Sequence, residues 1–131
     1  MSSEQPTPYD RIGGALGTRA LADRFYDLMS TLPEARALLA LHPPELGLTR
    51  DKFFEFLSGW LGGPQLYVEK RGHPRLRMRH LPFPIDDAMS RAWMTCMRAA
   101  LEDCVPDLLL REQLRGSFQR LADHMRNVEA G

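Results

Sequence analysis

The chain lacks an excess of either charge, and it lacks a long apolar run. Lys plus Arg and Asp plus Glu number 17 each in 131 residues, so the overall charge does not indicate an acidic partner. No stretch approaches the about 20 apolar residues that span a bilayer. The amino terminus is polar and contains Pro6 and Pro8, unlike a signal peptide. These absences predict a cytoplasmic protein that does not bind a membrane.

Cysteine is also scarce. Cys96 and Cys104 are eight residues apart in a segment with the pattern of one helix, which separates their Cα atoms by about 12 Å. A disulfide requires a separation below about 7 Å. We therefore predict two thiols in the core and no disulfide between them.

Alternating strand patterns, internal repeats and low-complexity segments are absent, and helical periodicity takes their place. Apolar residues recur every three or four positions in most of the chain, and glycine or proline separates the periodic segments. Residues 64–71 have the pattern of a connection. The fold class is therefore predicted to be all-α, as one domain over 1–131 with a frayed tail at about 1–8. Helices are expected near 9–12, 15–31, 34–41, 74–80, 86–104 and 107–128, with a further helix capped by Thr49 and ended by Gly62.

Residues 72–85 carry the most unusual pattern. A short helix can begin at Pro74, but Pro82 and Pro84 prevent it from running far. His80 is therefore expected at the end of about two helical turns, after arginines that alternate with apolar residues. A histidine held between cations and apolar groups suits an axial ligand to the iron of a flat, apolar, anionic cofactor.

Other interpretations of this stretch remain open. A single histidine more often caps or packs than binds a metal. The run from Lys70 to Arg79 contains five cations, which could contact phosphates. His73 and His80 could form a two-histidine metal site, although Pro74 places His73 at or before the helix start and no carboxylate or cysteine stands at ligand spacing.

Two further features admit both a structural and a functional interpretation. Phe53, Phe56 and Trp60 follow helical spacing, and Phe54 adds another ring. They could be ordinary core residues, or they could line a wide flat ligand. Tyr26 follows Phe25 directly, so its hydroxyl either reaches water at the helix edge or is buried and needs a partner.

Several motifs resemble the truncated hemoglobins, specifically the group II branch of the two-on-two globins. The resemblance extends from about residue 9 to residue 127, and its most specific part is the long segment that ends in His80-Leu81-Pro82-Phe83. The other matching segments are Phe25-Tyr26, Phe56 with Trp60 to Pro64, Leu66-Tyr67, Gly72 to Ile85, and Ala92 to Met97.

The resemblance implies a truncated globin-like helical sandwich, two helices on two, around heme b. His80 matches the iron ligand, Tyr26 the distal hydroxyl, and Trp93 the tryptophan typical of groups II and III. Thr49 falls at the gate of the distal helix, and His42 matches a position that is often Phe or Tyr in the family. The residues implied to contact heme are Lys52, Phe53, Phe56, Tyr67, Leu76, Arg79, His80, Phe83 and Trp93.

The function implied by the resemblance is binding of dioxygen and other diatomic gases at a five-coordinate iron. Tyr26 and Trp93 could both donate hydrogen bonds to bound oxygen and slow its release. The alternative is a heme enzyme that removes nitric oxide or peroxide with an external reductase. A distant alternative is a helical nucleic-acid-binding module that uses the Lys70–Arg79 run. The partners expected are diatomic gases, with no nucleic acid, in a monomer or homodimer.

Overall fold

The structure is a computed structural model that describes residues 5–75 and 85–126. These residues form helices and connecting turns, with no strand among them, which confirms the expected all-α class. The helices are α1 (Pro8–Arg11), α2 (Gly14–Thr31), α3 (Arg36–Leu39), α4 (Gly47–Trp60), α5 (Leu66–Arg71), α6 (Asp87–Cys104) and α7 (Leu108–Met125), with a 3-10 turn over Pro33–Ala35 before α3.

The core lies between α2 and α6. Helix α2 packs against both α4 and α6, and α6 also packs against α7. Helix α2 buries a broad face that includes both Phe25 and its neighbour Tyr26. Because adjacent residues of a helix point about 100° apart, both rings can be buried only on a helix covered from more than one side. The packing of α4 on one side and α6 on the other provides that cover.

The two long helices near the carboxyl terminus begin at aspartate caps. Asp86 accepts a hydrogen bond from the backbone N–H of Met89 at 2.9 Å, and Asp107 accepts one from Leu110 at 3.1 Å. Each carboxylate thereby satisfies an amide that has no partner within its helix. The expected helix starts near residues 86 and 107 are confirmed, as is the break between the two helices. The expected end of α7 at Val128 lies outside the described residues.

The expected start of α4 at a Thr49 cap is wrong. The helix begins at Gly47 after Leu46, which makes no side-chain capping bond. The Leu46 carbonyl already accepts from the Arg50 N–H at 2.8 Å. This bond closes the first turn upstream of Thr49, so the threonine lies inside the helix.

Helix α5 was not expected, because residues 64–71 have the pattern of a connection. Six residues are too few for a helical period to be visible, and so short a helix is unstable alone. Contacts with α4 hold it in place, and the principal polar one is described with the site below.

Glycines allow the amino-terminal segment to turn and to pack closely. Gly13 and Gly14 have φ angles of 107° and 65°, which residues with a Cβ rarely adopt. They separate α1 from α2, as expected. At the end of α4, a Cβ on Gly63 would lie 2.5 Å from the Tyr9 ring, so only glycine lets α1 approach that closely.

Cys96 is fully buried and Cys104 is half-buried, and both are free thiols. Burial raises the pKa of the Cys96 thiol to about 11, which keeps it protonated and unreactive at neutral pH. The core assignment of Cys96 is therefore confirmed. Within residues 5–75 and 85–126, no helix combines the length and the apolar character needed to cross a membrane.

Candidate functional site

Tyr26 is a buried tyrosine in the middle of α2. Its exposed fraction is 6 %, so the interpretation that its hydroxyl reaches water at the helix edge is wrong. Burial raises the pKa of the Tyr26 hydroxyl well above its ordinary value, and the charge of Arg50 opposes this rise. The hydroxyl therefore keeps its proton throughout the physiological pH range and can act as a hydrogen-bond donor.

Aromatic side chains from three helices, α2, α4 and α6, meet at Phe53 of α4. The Phe53 ring centroid lies 5.1 Å from that of Phe25, 5.7 Å from that of Tyr26 and 6.4 Å from that of Trp93. These separations are typical of interacting rings. We call the whole set the aromatic wall, and its members are Phe25, Tyr26, Phe53, Phe56, Trp60, Trp93 and Phe118.

The other half of the aromatic wall runs along α4 to α7. Phe56 stacks 6.4 Å from Phe53 and 6.3 Å from Trp60. Trp60 stacks on Phe118 at 4.5 Å, and Phe118 lies 5.9 Å from Trp93. The rings thus form a closed circuit. Phe118 falls within the predicted last helix, over 107–128, but helical spacing alone does not reveal which rings it meets.

The aromatic wall has a buried back and a partly open front. Phe25 and Phe118 are fully buried, whereas Phe53, Phe56, Trp60 and Trp93 are only half-buried. Two clefts of about 270 Å³ adjoin this front, and Phe56, Trp60 and His73 line both of them. Large rings left partly uncovered beside a cleft are typical of a site for an apolar ligand. Such flat aromatic faces suit a flat apolar group such as a porphyrin.

His42 lies beside Tyr26, and its tautomer follows from its contacts. The Nδ1 atom is 3.0 Å from the Leu38 carbonyl oxygen. A carbonyl can only accept, so Nδ1 carries the hydrogen, and Nε2 of a neutral ring is then an acceptor. The His42 ring meets the Tyr26 ring edge-on at 5.8 Å. This geometry brings the two side chains together and does not favour neutral His42 as a further donor.

Glu55 is a buried carboxylate that the sequence analysis missed. It is 4 % exposed, yet it pairs with Arg71 at 2.8 Å and with Lys70 at 3.1 Å. The Arg71 guanidinium lowers the pKa of the Glu55 carboxyl, and Lys70 acts in the same direction. Because Lys70 and Arg71 belong to α5, this ion pair fastens α5 to α4. A glutamate placed among the phenylalanines of α4 was the only sequence signal.

This ion pair also bears on the nucleic-acid interpretation. Two of the five cations in the Lys70–Arg79 run bind Glu55 within the protein, which makes them less available to phosphates. The Arg71 guanidinium also lies 6.0 Å from the centre of the Tyr67 ring. The first part of the run therefore packs against Glu55 and Tyr67, which both line the second cleft.

The remaining predicted site residues divide into two groups. On α4, Thr49 is half-buried and Lys52 is exposed, while Tyr67 on α5 is 9 % exposed. The structure therefore brings Tyr26, His42, Phe53, Phe56 and Trp93 together, places Tyr67 at the adjoining cleft and leaves Lys52 in contact with solvent. Four predicted residues lie outside the described ranges: Leu76, Arg79, His80 and Phe83.

Comparison with known proteins identifies the family. The sequence profile of the bacterial-like globin family matches residues 7–127. The chain is 41% identical to the group 2 truncated hemoglobin YjbI of Bacillus subtilis (strain 168), over 92% of this chain and 88% of that protein. The chain belongs to the bacterial-like globins, in the group II truncated hemoglobin branch.

Solved structures give the same answer. The group II 2-on-2 hemoglobin from the plant pathogen Agrobacterium tumefaciens superimposes with a TM-score of 0.93 at 47% identity, covering 99% of this chain and 100% of that one. The cold-adapted truncated hemoglobin from the Antarctic marine bacterium Pseudoalteromonas haloplanktis TAC125 gives 0.91 at 53% identity, covering 92% and 98%. This globin is therefore a two-on-two helical sandwich, and its cofactor is heme.

Proposed function

We propose that this group II truncated hemoglobin is one globin domain that binds dioxygen and other diatomic gases at a five-coordinate heme iron and releases oxygen slowly. The observation that carries the proposal is that two side chains able to donate hydrogen bonds pack against the same ring, Phe53. Tyr26 of α2 lies 5.7 Å from it and Trp93 of α6 lies 6.4 Å from it. Two potential donors from different helices thus stand beside one apolar side chain.

Heme, when bound, supplies an iron with one open coordination position. We propose that His80 is the only protein ligand to this iron, and that its second ring nitrogen donates to a neighbouring acceptor that fixes its orientation. We propose that Thr49 stands at the entrance for the gas. The remaining contacts divide into cations or polar groups at the heme edge, namely Lys52, Tyr67 and Arg79, and apolar packing residues, namely Phe53, Phe56, Leu76 and Phe83.

The donors act on the partial negative charge that a polarised diatomic gas carries. The protonated Tyr26 hydroxyl and the Trp93 indole N–H each donate one hydrogen bond, worth about 0.5–1.5 kcal/mol. Together they would slow oxygen escape by roughly one to two orders of magnitude, at about 1.4 kcal/mol per decade. With heme against its open front, the aromatic wall would exclude water, which would otherwise compete for both donors. Slow release suits oxygen chemistry or sensing better than bulk delivery.

Gas release by variants of the two donors tests this proposal. We expect Tyr26→Phe and Trp93→Phe each to speed oxygen release by about two- to tenfold. Carbon monoxide release should change much less, because carbon monoxide carries less negative charge. Since both donors serve one ligand, the double variant should depart from the sum of the single effects. Stopped-flow measurement of both gases gives all of these rates.

Tyr9→Phe is the matched control, because it removes the same atom from α1, outside the aromatic wall. It should leave both rates unchanged. Equal acceleration of both gases by Trp93→Phe would indicate a steric gate and contradict the donor role. No change in either gas would make Trp93 a core residue only.

A further inference from the structure

Arg50 of α4 forms hydrogen bonds with two residues of α2, one before and one after Tyr26 in the sequence. Its side chain is 23% exposed, and its Nη1 atom donates to the Asp23 backbone carbonyl at 2.9 Å. Its Nη2 atom donates to the Asp27 carboxylate at 2.8 Å. One guanidinium thus joins two points of α2 that are four residues apart.

The residues that Arg50 binds flank Tyr26 along α2. Asp23 precedes Tyr26 by three positions and Asp27 follows it directly, so the two bonds hold the helical turn that carries Tyr26. The Arg50 charge acts to lower the pKa of the Tyr26 hydroxyl, as a nearby cation does, whereas burial raises that pKa. A cation that favours negative charge on a phenol oxygen also makes the phenol a stronger hydrogen-bond donor.

We propose that Arg50 is a positioning residue that fixes the Tyr26 turn of α2 against α4 and, through its charge, strengthens the Tyr26 hydroxyl as a hydrogen-bond donor. The consequence for the gas ligand rests on the proposed function, but the effect on Tyr26 itself does not.

The groups that surround this turn of α2 explain why Arg50 should matter. Asp23 and Asp27 are 40% and 51% exposed, and both pair with Arg50. From the segment after α3, the His42 ring lies against Tyr26. Removal of the Arg50 guanidinium releases the turn of α2 that carries Tyr26 and takes away a charge that acts on its hydroxyl. A lysine would keep the charge but could not hold both oxygens with one planar fork.

Arg19 provides a matched control within the same ion-pair network. It contacts Asp23 at 3.3 Å and Asp51 at 2.8 Å, so it also links α2 to α4. Its side chain is 38% exposed, and it does not figure among the charges that act on the Tyr26 pKa. Arg19→Gln therefore removes a comparable helix-to-helix link and leaves the bonds from Arg50 to the Asp23 carbonyl and the Asp27 carboxylate in place.

Nuclear magnetic resonance of the ferrous carbon monoxide form, which is diamagnetic, tests the proposal. The chain has three tyrosines, so ring-13C labelling gives three Cζ signals, and Tyr26→Phe identifies the relevant one. We expect Arg50→Gln to shift the Tyr26 signal, Arg50→Lys to shift it less, and Arg19→Gln to leave it in place. Melting curves of the same samples show which variants remain folded.

Oxygen release then separates this inference from the proposed function. We expect Arg50→Gln to speed oxygen release by about two- to tenfold, as for loss of one hydrogen bond, and carbon monoxide release to change little. An unmoved Tyr26 signal in folded Arg50→Gln or Arg50→Lys would overturn the inference, as would an equal shift in Arg19→Gln. The Tyr26 signal could shift in Arg50→Gln while Tyr26→Phe leaves oxygen release unchanged. That result would support the positioning role of Arg50 and contradict the proposed role of Tyr26 in oxygen binding.

Discussion

Replacement of Glu55 by glutamine removes a buried charge while nearly preserving its shape. The carboxylate is 4 % exposed and accepts from Arg71 at 2.8 Å and from Lys70 at 3.1 Å. Glutamine keeps one oxygen acceptor, but it carries no charge and turns a donor toward one of the two cations. The perturbation is therefore confined to the ion pair that joins α5 to α4.

The size of the effect follows from the exposure of the two cations. Arg71 is 29% exposed, and a hydrogen bond to such a charged group contributes about 1.5–3 kcal/mol. Lys70 is 61% exposed, so its contact is largely screened and contributes about 0–1 kcal/mol. Because the neutral side chain also costs less to bury, we expect a net loss of about 2 kcal/mol. For 131 residues this lowers the melting temperature by about 7 °C.

Thermal unfolding followed by circular dichroism measures this loss in the heme-loaded protein at low ionic strength. Glu112→Gln is the control, since it breaks a pair with Arg115 at 3.1 Å whose partners are 42% and 55% exposed. That change should cost no more than about 0.5 kcal/mol. Equal, small losses for the two variants would refute the claim that Glu55 holds α5 in place.

Three further predictions concern the acid stability of the Glu55 ion pair, the removal of heme and the role of His42. Folding lowers the pKa of Glu55. Its ion pair therefore stabilises the protein fully above the ordinary carboxyl pKa of about 4.3, and this stabilisation is lost as the pH falls through the folded-state pKa. Melting temperatures of the wild type and Glu55→Gln should therefore converge in acid, and a constant difference would contradict this. Heme removal should lower both the helicity and the melting temperature, because short helices such as α3 and α5 lose their support; identical melting curves would count against a buried pocket. His42→Phe should not speed oxygen release, because its Nδ1–H already donates to Leu38; acceleration as large as that of Tyr26→Phe would show that His42 is a donor to the gas.

The long helices were predictable because their signals are local. Helices α2, α6 and α7 have a helical apolar period over 18 residues each, and aspartate caps mark the last two. The start of α4 was not predictable from its cap, since a backbone bond from Arg50 to Leu46 closes the first turn without any side chain. Helix α5 was not predictable either, because its stability comes from Glu55 on another helix.

The candidate site was predictable only as far as residue types reveal it. The burial of Tyr26 decides between the two interpretations that the residue types left open, and it agrees with the distal position that the resemblance implied. The packing of Trp60 on Phe118 joins residues far apart in the chain, and no local pattern reports which distant side chains meet. The same holds for Arg50, whose partners on α2 become visible only once the two helices are packed.

The absorption spectrum of purified His80→Ala, recorded in the ferrous state with and without added imidazole, tests the heme assignment most directly. We predict that the wild type shows a five-coordinate heme spectrum. The variant should lose stable heme binding or recover it only when imidazole is supplied as the missing axial ligand. A wild-type heme spectrum in the variant without imidazole would contradict His80 as the iron ligand and, with it, the proposed organisation of the pocket.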